Sequence, residues 1–160
     1  MEAKLPISWL SLKKNVTSLR KFLEDQNFKR IPLKKLKTGH YQLNLKINGV
    51  SGDFILDTGA STSCIGFENI SHFMLNSEES EIKAAGAGAL DMETKIAKNN
   101  LLEVEGLTVR NLEIIIFDLS HVNEALQQVN EKRIHGILGA DLLKEFRAII
   151  DYGRNCFYIR

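Results

Sequence analysis

Phe54-Ile55-Leu56-Asp57-Thr58-Gly59-Ala60-Ser61-Thr62 is the stretch on which the reading of this sequence turns. Three apolar residues of strand type run straight into a carboxylate, and small and hydroxylated residues with a glycine follow. A buried strand ordinarily ends on a solvated turn, which gives Asp57 two readings. In one it is a turn residue whose side chain holds its own backbone. In the other it is a functional carboxylate, fixed at a strand end by a tight turn and half shielded from water.

The residues before it alternate. Tyr41, Leu43, Leu45 and Ile47 fall on one face of a strand and Gln42, Asn44, Lys46 and Asn48 on the other. Asn48-Gly49 is a type I′ hairpin signal, since both residues tolerate the left-handed backbone that such a turn needs. The returning strand, 50–56, loses the alternation at Phe54-Ile55-Leu56 and is expected to lie centrally, buried on both faces. It delivers Asp57 to the middle of the domain.

Downstream, residues 68–81 are polar and read as a loop with a short helix. Ala84-Ala85-Gly86-Ala87-Gly88-Ala89 lacks the third glycine, the Lys-Ser/Thr pair and the following helix of a phosphate cradle. Its composition fits a flexible hairpin that moves over a ligand. Strand-like runs follow at 101–109, broken at Gly106, and at 112–117. Ser120 is placed to cap a helix from His121 to about Lys132, with Val122, Ala125, Leu126 and Val129 facing inward. Gly136-Ile137-Leu138-Gly139-Ala140-Asp141-Leu142-Leu143 reads as an apolar strand broken by glycine before a short helix. The end of the chain reads as a hairpin that turns at Gly153-Arg154-Asn155.

Upstream, Leu5, Trp9, Leu12, Val16, Leu19 and Leu23 recur at helical spacing, and Asn27 is placed for a left-handed C-terminal cap. The run 29–37 holds five cations. Ile31, Leu33 and Leu36 point inward, Pro32 suits an edge strand and no aromatic is interleaved for base stacking, so lysines guarding a sheet edge explain it better than a nucleic-acid arm. The whole is a mainly β domain from about residue 31 to 160, with residues 1–30 as a helical extension.

Composition narrows the function classes. A chain of 160 residues with 44% apolar and 26% charged residues has the makeup of a folded globular protein and needs no metal or disulfide to build a core. The net charge of +1 gives no general attraction to nucleic acid or anionic surfaces. Cys64 and Cys156 form neither a disulfide framework nor a metal knuckle, and His40, His72, His121 and His135 lack zinc spacing, so no metal or cofactor is expected. Ser61, Ser63 and Cys64 have no identifiable base. Neither a signal-length apolar run at the N-terminus nor a membrane-length run elsewhere is present, and a cytoplasmic chain without a membrane partner is expected.

Taken together, the Asp57-Thr58-Gly59-Ala60-Ser61 stretch, the glycines at 86 and 88 and the Ile137-Leu138-Gly139 stretch about eighty residues later resemble the retropepsin-like aspartic proteases, particularly bacterial ones. The closing Ile149-Ile150-Asp151-Tyr152 hairpin agrees, and the resemblance covers about residues 38–160. It implies a retropepsin-like closed β-barrel with a flap hairpin and short helices, and an aspartic endopeptidase acting on peptide or protein substrates. Because one Asp-Thr-Gly is present, the resemblance implies a homodimer in which two Asp57 carboxylates share a proton and activate water, with a bell-shaped pH profile and an acidic optimum.

By the same resemblance Thr58 bonds across the dimer, Gly59 supports the carboxylate, and Gly59, Ala60, Gly86 and Gly88 contact substrate, the last two from the flap. Leu138 and Gly139 would lie beside the catalytic loop. Retroviral members carry an Asp at the position of Ser61 and an Arg at that of Ala140; both are absent here, so the dimer has to be held in other ways. The rival reading is a non-catalytic dimeric peptide- or protein-binding module on the same fold. Retention of Asp57 favours catalysis, since such a module gains nothing from a pair of like charges.

Overall fold

The computed structural model describes residues 18–80, 84–86 and 89–160. In chain order they form α1 (Leu19–Asp25), β1 (Lys29–Pro32), β2 (Lys34–Lys35), β3 (Tyr41–Ile47), β4 (Val50–Leu56), β5 (Cys64–Gly66), β6 (Ser77–Glu79), β7 (Ala84–Gly86), β8 (Ala89–Met92), β9 (Lys95–Val104), β10 (Leu107–Phe117), α2 (Ser120–Gln128), β11 (Gly136–Leu138), α3 (Ala140–Glu145), β12 (Ile149–Asp151) and β13 (Cys156–Ile159). The fold is mainly β, as its sequence pattern predicts.

The strand order β3-β4-β11-β5-β10-β9 closes on itself, because Lys46 and Ile47 of β3 pair with Glu103 and Leu102 of β9. This six-stranded ring is a closed barrel. β2 adds to the first half of β3 and β6 to β9. Asn48 stitches the seam: its Nδ2 donates to Phe73 O (3.0 Å) and Asn100 Oδ1 (2.9 Å), and its Oδ1 accepts from Leu101 N (2.9 Å). Asn48 and Gly49 hold φ of 52° and 81°, as the hairpin signal requires.

β4 explains its own composition. Phe54 and Leu56 face the barrel core with Leu43, Leu45, Ile65 and Leu138, while Ile55 faces outward and packs with Leu36, Leu126 and Ile134 beneath α2. Burial on both faces removes the alternation that a half-exposed strand would show. β11 runs parallel to β4, Phe54 opposite Gly136 and Leu56 opposite Leu138, and antiparallel to β5 on its other side. A Cβ at Gly136 would come within 2.4 Å of both the Cys64 carbonyl and the Phe54 ring, so this strand passes between its neighbours only as glycine.

A second sheet, β1-β13-β12, brings the chain end back against the start of the domain. Pro32 lies in its edge strand β1, where a missing N–H is tolerated. Ile31, Leu33 and Leu36 are buried, as the inward pattern in the basic run requires. The terminal hairpin turns through Asn155 at φ 47°.

Several local expectations are corrected. The apolar stripe 5–23 is not one helix through to Leu23, because Ser18 is extended (φ −62°, ψ 148°) and its Oγ caps α1 by accepting from Lys21 N. Leu23 is buried under α1 against Cys156 and Tyr158, whereas Leu19 is exposed. The stripe from Leu5 to Val16 lies outside the described residues. Asn27 does close α1, with φ 64° and Phe28 N donating to Leu23 O. The run 101–109 is two strands of one hairpin turning at Glu105-Gly106, and β9 starts earlier, at Lys95. Ser120 is the first residue of α2 rather than its cap; its N–H donates to Asp118 Oδ1 at 2.8 Å. α2 ends at Gln128, where Asn130 at φ 58° lets Glu131 N turn back to Leu126 O.

Candidate active site

Asp57 leaves β4 at the point where β11 ends. Its N–H donates to Leu138 O at 3.0 Å, continuing the parallel ladder by one bond beyond Leu56. Its side chain then turns onto its own loop: Oδ1 accepts from Gly59 N at 2.8 Å, and Ala60 N closes the turn onto Asp57 O at 3.3 Å. Asp57 is thus a turn residue, and the turn fixes the orientation of its carboxylate. Oδ2 accepts no hydrogen bond among the described residues. Asp57 is half-buried, and Thr58 and Gly59 form an exposed loop tip.

The loop is held a second time at its far side. Ala140 N donates to Ala60 O at 2.8 Å. Gly139 lies so close beneath the loop that a Cβ there would sit 2.8 Å from both Ala60 O and Thr62 C. Beyond it, the Asp141 carboxylate accepts from Ser63 N (2.9 and 3.0 Å) and from Ser63 Oγ (2.6 Å), and Ser63 Oγ accepts from Gly139 N (2.8 Å). Leu138 and Gly139 thus lie beside the loop as expected. Nothing in the local sequence pattern of Ser63 or Asp141 points to a partner so far along the chain.

The sequence profile of the aspartyl protease family matches residues 43–142, a span that contains the Asp57 loop and both of its supports. The chain belongs to this family. Among solved structures, this aspartyl protease family member is similar to a retropepsin-like aspartic protease from Rickettsia conorii, with 17% identity, a TM-score of 0.55 and coverage of 82% of this chain and 89% of that one. It is also similar to EIAV protease complexed with the inhibitor HBY-793, with 18% identity, a TM-score of 0.52 and coverage of 69% and 90%. A third is the retroviral protease-like domain of Ddi1 from Leishmania major, with 16% identity, a TM-score of 0.51 and coverage of 74% and 86%. At these identities the likeness is one of fold, and that fold is retropepsin-like. No curated protein matches the sequence.

Gly86 lies in β7, which pairs antiparallel with β8 in a two-stranded sheet, Gly86 opposite Ala89. Gly88 lies outside the described residues. Cys64 is buried in β5, and burial pushes its thiol up to about 12, which leaves no thiolate to act as a nucleophile near neutral pH. His72 and His135 stack at 4.8 Å by the start of β4, where Asp53 N donates to His135 Nδ1 at 3.0 Å. No group of three metal-ligating side chains occurs among the described residues, and none of their helices is long and apolar enough to cross a membrane.

Proposed function

We propose that this chain is an aspartic endopeptidase that acts as a homodimer, with Asp57 of each copy supplying half of the catalytic pair. The observation that carries this reading is the loop geometry: a carboxylate oriented through Oδ1 by Gly59 N, with its backbone tied to Leu138 O, at the edge of an exposed Thr58-Gly59 tip. One such carboxylate is a poor base for water. Two brought together share a proton, the general arrangement of aspartic proteases.

In the pair, the ionised Asp57 takes a proton from water as the water oxygen bonds to the scissile carbonyl carbon, and the protonated Asp57 gives its proton to the carbonyl oxygen. The resulting tetrahedral diol then collapses. The C–N bond breaks, one hydroxyl proton returns to a carboxylate, and a proton passes to the leaving nitrogen. No cofactor enters this sequence. Thr58 would bond to its counterpart across the two-fold axis, and Gly59 and Ala60 would line the cleft. Gly86 and Gly88 would close over an extended peptide that pairs with the enzyme as an added strand. Residues 31–160 would constitute the protease domain and 1–30 an extension. The two unpaired, buried thiols suit a reducing compartment such as the cytoplasm.

The test is cleavage of a mixed peptide library by wild type and Asp57→Asn from pH 3 to 7. Cleavage with a bell-shaped pH profile in the wild type alone supports the reading. Equal activity in both proteins, or none in either, removes it.

A further inference from the structure

Ser63 and Asp141 stand 78 residues apart in sequence, yet they are joined more densely than any other polar pair around the candidate site. Asp141 occupies the first turn of α3, a place where an acidic residue is commonly found simply because it complements the helix end. That role accounts for its contact with Leu142 N at 2.8 Å. It does not account for the bonds that leave the helix.

Those bonds form a directed chain. The Ser63 hydroxyl has one proton, and at 2.6 Å it is given to Asp141 Oδ1, which leaves an oxygen lone pair aimed at Gly139 N, 2.8 Å away. Gly139 in turn lies against the backbone of Ala60 and Thr62 and directly follows Leu138, whose carbonyl holds Asp57 N. Ser63 is buried at 3% exposure, so no water competes freely for its hydroxyl, whereas Asp141 is exposed and owes its fixed orientation to these donors. A shift of Asp141 is therefore passed through Ser63 and Gly139 to both supports of the Asp57 loop.

We infer that Asp141 is a positioning residue which, acting through the Ser63 hydroxyl, sets the height and angle of the Asp57 loop for the dyad chemistry. This inference rests on the endopeptidase reading for its kinetic consequence, but the tether itself can be tested without activity.

The experiment compares wild type with Asp141→Ala, Asp141→Asn, Ser63→Ala and the Ser63→Ala/Asp141→Ala double variant. Amide hydrogen exchange is followed on each full chain, and peptide cleavage is measured wherever the wild type cleaves. Loss of the tether is expected to speed exchange at Asp57, Gly139 and Ala140 selectively, with the β3–β9 seam amides unchanged. It is also expected to lower kcat roughly 10- to 100-fold with KM moved less than about threefold, since small misplacements of reacting groups cost about this much. Asn retains an oxygen acceptor at the Oδ1 position, so Asp141→Asn restores most of the loss. The double variant is no worse than the worse single one, because both break the same chain.

Wild-type exchange and kcat in both Asp141→Ala and Ser63→Ala would overturn the inference, as would acceleration spread evenly over the barrel. If Asp141→Ala does not fold, Ser63→Ala decides by the same criteria. A wild type that cleaves nothing would end the endopeptidase reading while leaving the exchange result to judge the tether.

Discussion

The N–H of Asp57 donates to the carbonyl of Leu138 at 3.0 Å, joining the end of β4 to the end of β11. The two strands run parallel, so both segments arrive at this bond from the same direction and leave it as loops facing the same end of the barrel. Here one loop carries the carboxylate and the other carries the glycine on which it rests.

Gly59 bears on the carboxylate directly. A Cβ at this position would stand 3.2 Å from Asp57 Oδ1, closer than an ordinary contact, and Gly59 does not use the left-handed backbone. Gly59→Ala is expected to turn the carboxylate and reduce kcat about tenfold or more while changing folding stability by less than about 1 kcal/mol. Cleavage kinetics beside urea unfolding check this; equal losses in both would contradict it.

Gly139→Ala meets backbone on several sides, with Ala60 O and Thr62 C at 2.8 Å and Ser63 N at 3.0 Å from the added carbon. Backbone cannot rotate away as a side chain can, so the loop has to move. A stability loss of about 1–3 kcal/mol, typical of overpacking, is expected together with loss of cleavage. Thermal unfolding and peptide hydrolysis measure the two effects.

Asn48 combines a left-handed φ of 52° with three side-chain hydrogen bonds across the barrel seam. Asn48→Ala loses all three and leaves Leu101 N without its side-chain acceptor, for an expected cost of about 2–4 kcal/mol in urea unfolding. Asn48→Asp keeps an acceptor for Leu101 N but turns a carboxylate oxygen onto the Phe73 carbonyl and Asn100 Oδ1, and is expected to cost no less.

His135 gives the stability a pH dependence. Burial, and after it the neighbouring His72, hold its pKa below the usual histidine value, against the opposing pull of Asp53 and Glu68. A ring nitrogen that accepts from Asp53 N must also be unprotonated. The folded state thus binds this proton less readily than the unfolded chain. The contribution of His135 is complete above the unfolded value of about 6.5 and is lost as pH falls through that value toward the lowered folded one. Urea midpoints at pH 7.5 and 5.5 are expected to fall further in wild type than in His135→Asn.

The sequence showed most where the signal was local. Asn48-Gly49, Asn27 and the double burial of Phe54-Ile55-Leu56 each announce a backbone conformation or an environment through their own residue types, whereas the meeting of the Asp57-Thr58-Gly59 and Ile137-Leu138-Gly139 loops was implied by the family resemblance alone. What stayed hidden depends on distant partners. The pairing of Lys46 with Glu103 that closes the barrel, the passage of Gly136 between Phe54 and Cys64, and the Ser63–Asp141 bonds have no counterpart in neighbouring residues. Helix ends differ from the pattern for a related reason: Ser18 and Asp118 compete with Ser120 and the apolar stripe for them, and side-chain bonds decide between them.

Two copies of Asp57 in one active site is the central claim, and mixing experiments address it most directly. Wild type at fixed concentration is equilibrated with increasing Asp57→Asn protein, and peptide cleavage is followed. If each site needs an Asp57 from both copies, a tenfold excess of the variant captures most wild-type chains in dead heterodimers, and activity falls to roughly a tenth by mass action. Activity that stays constant across the titration would mean that one chain carries a whole site, and would contradict the account.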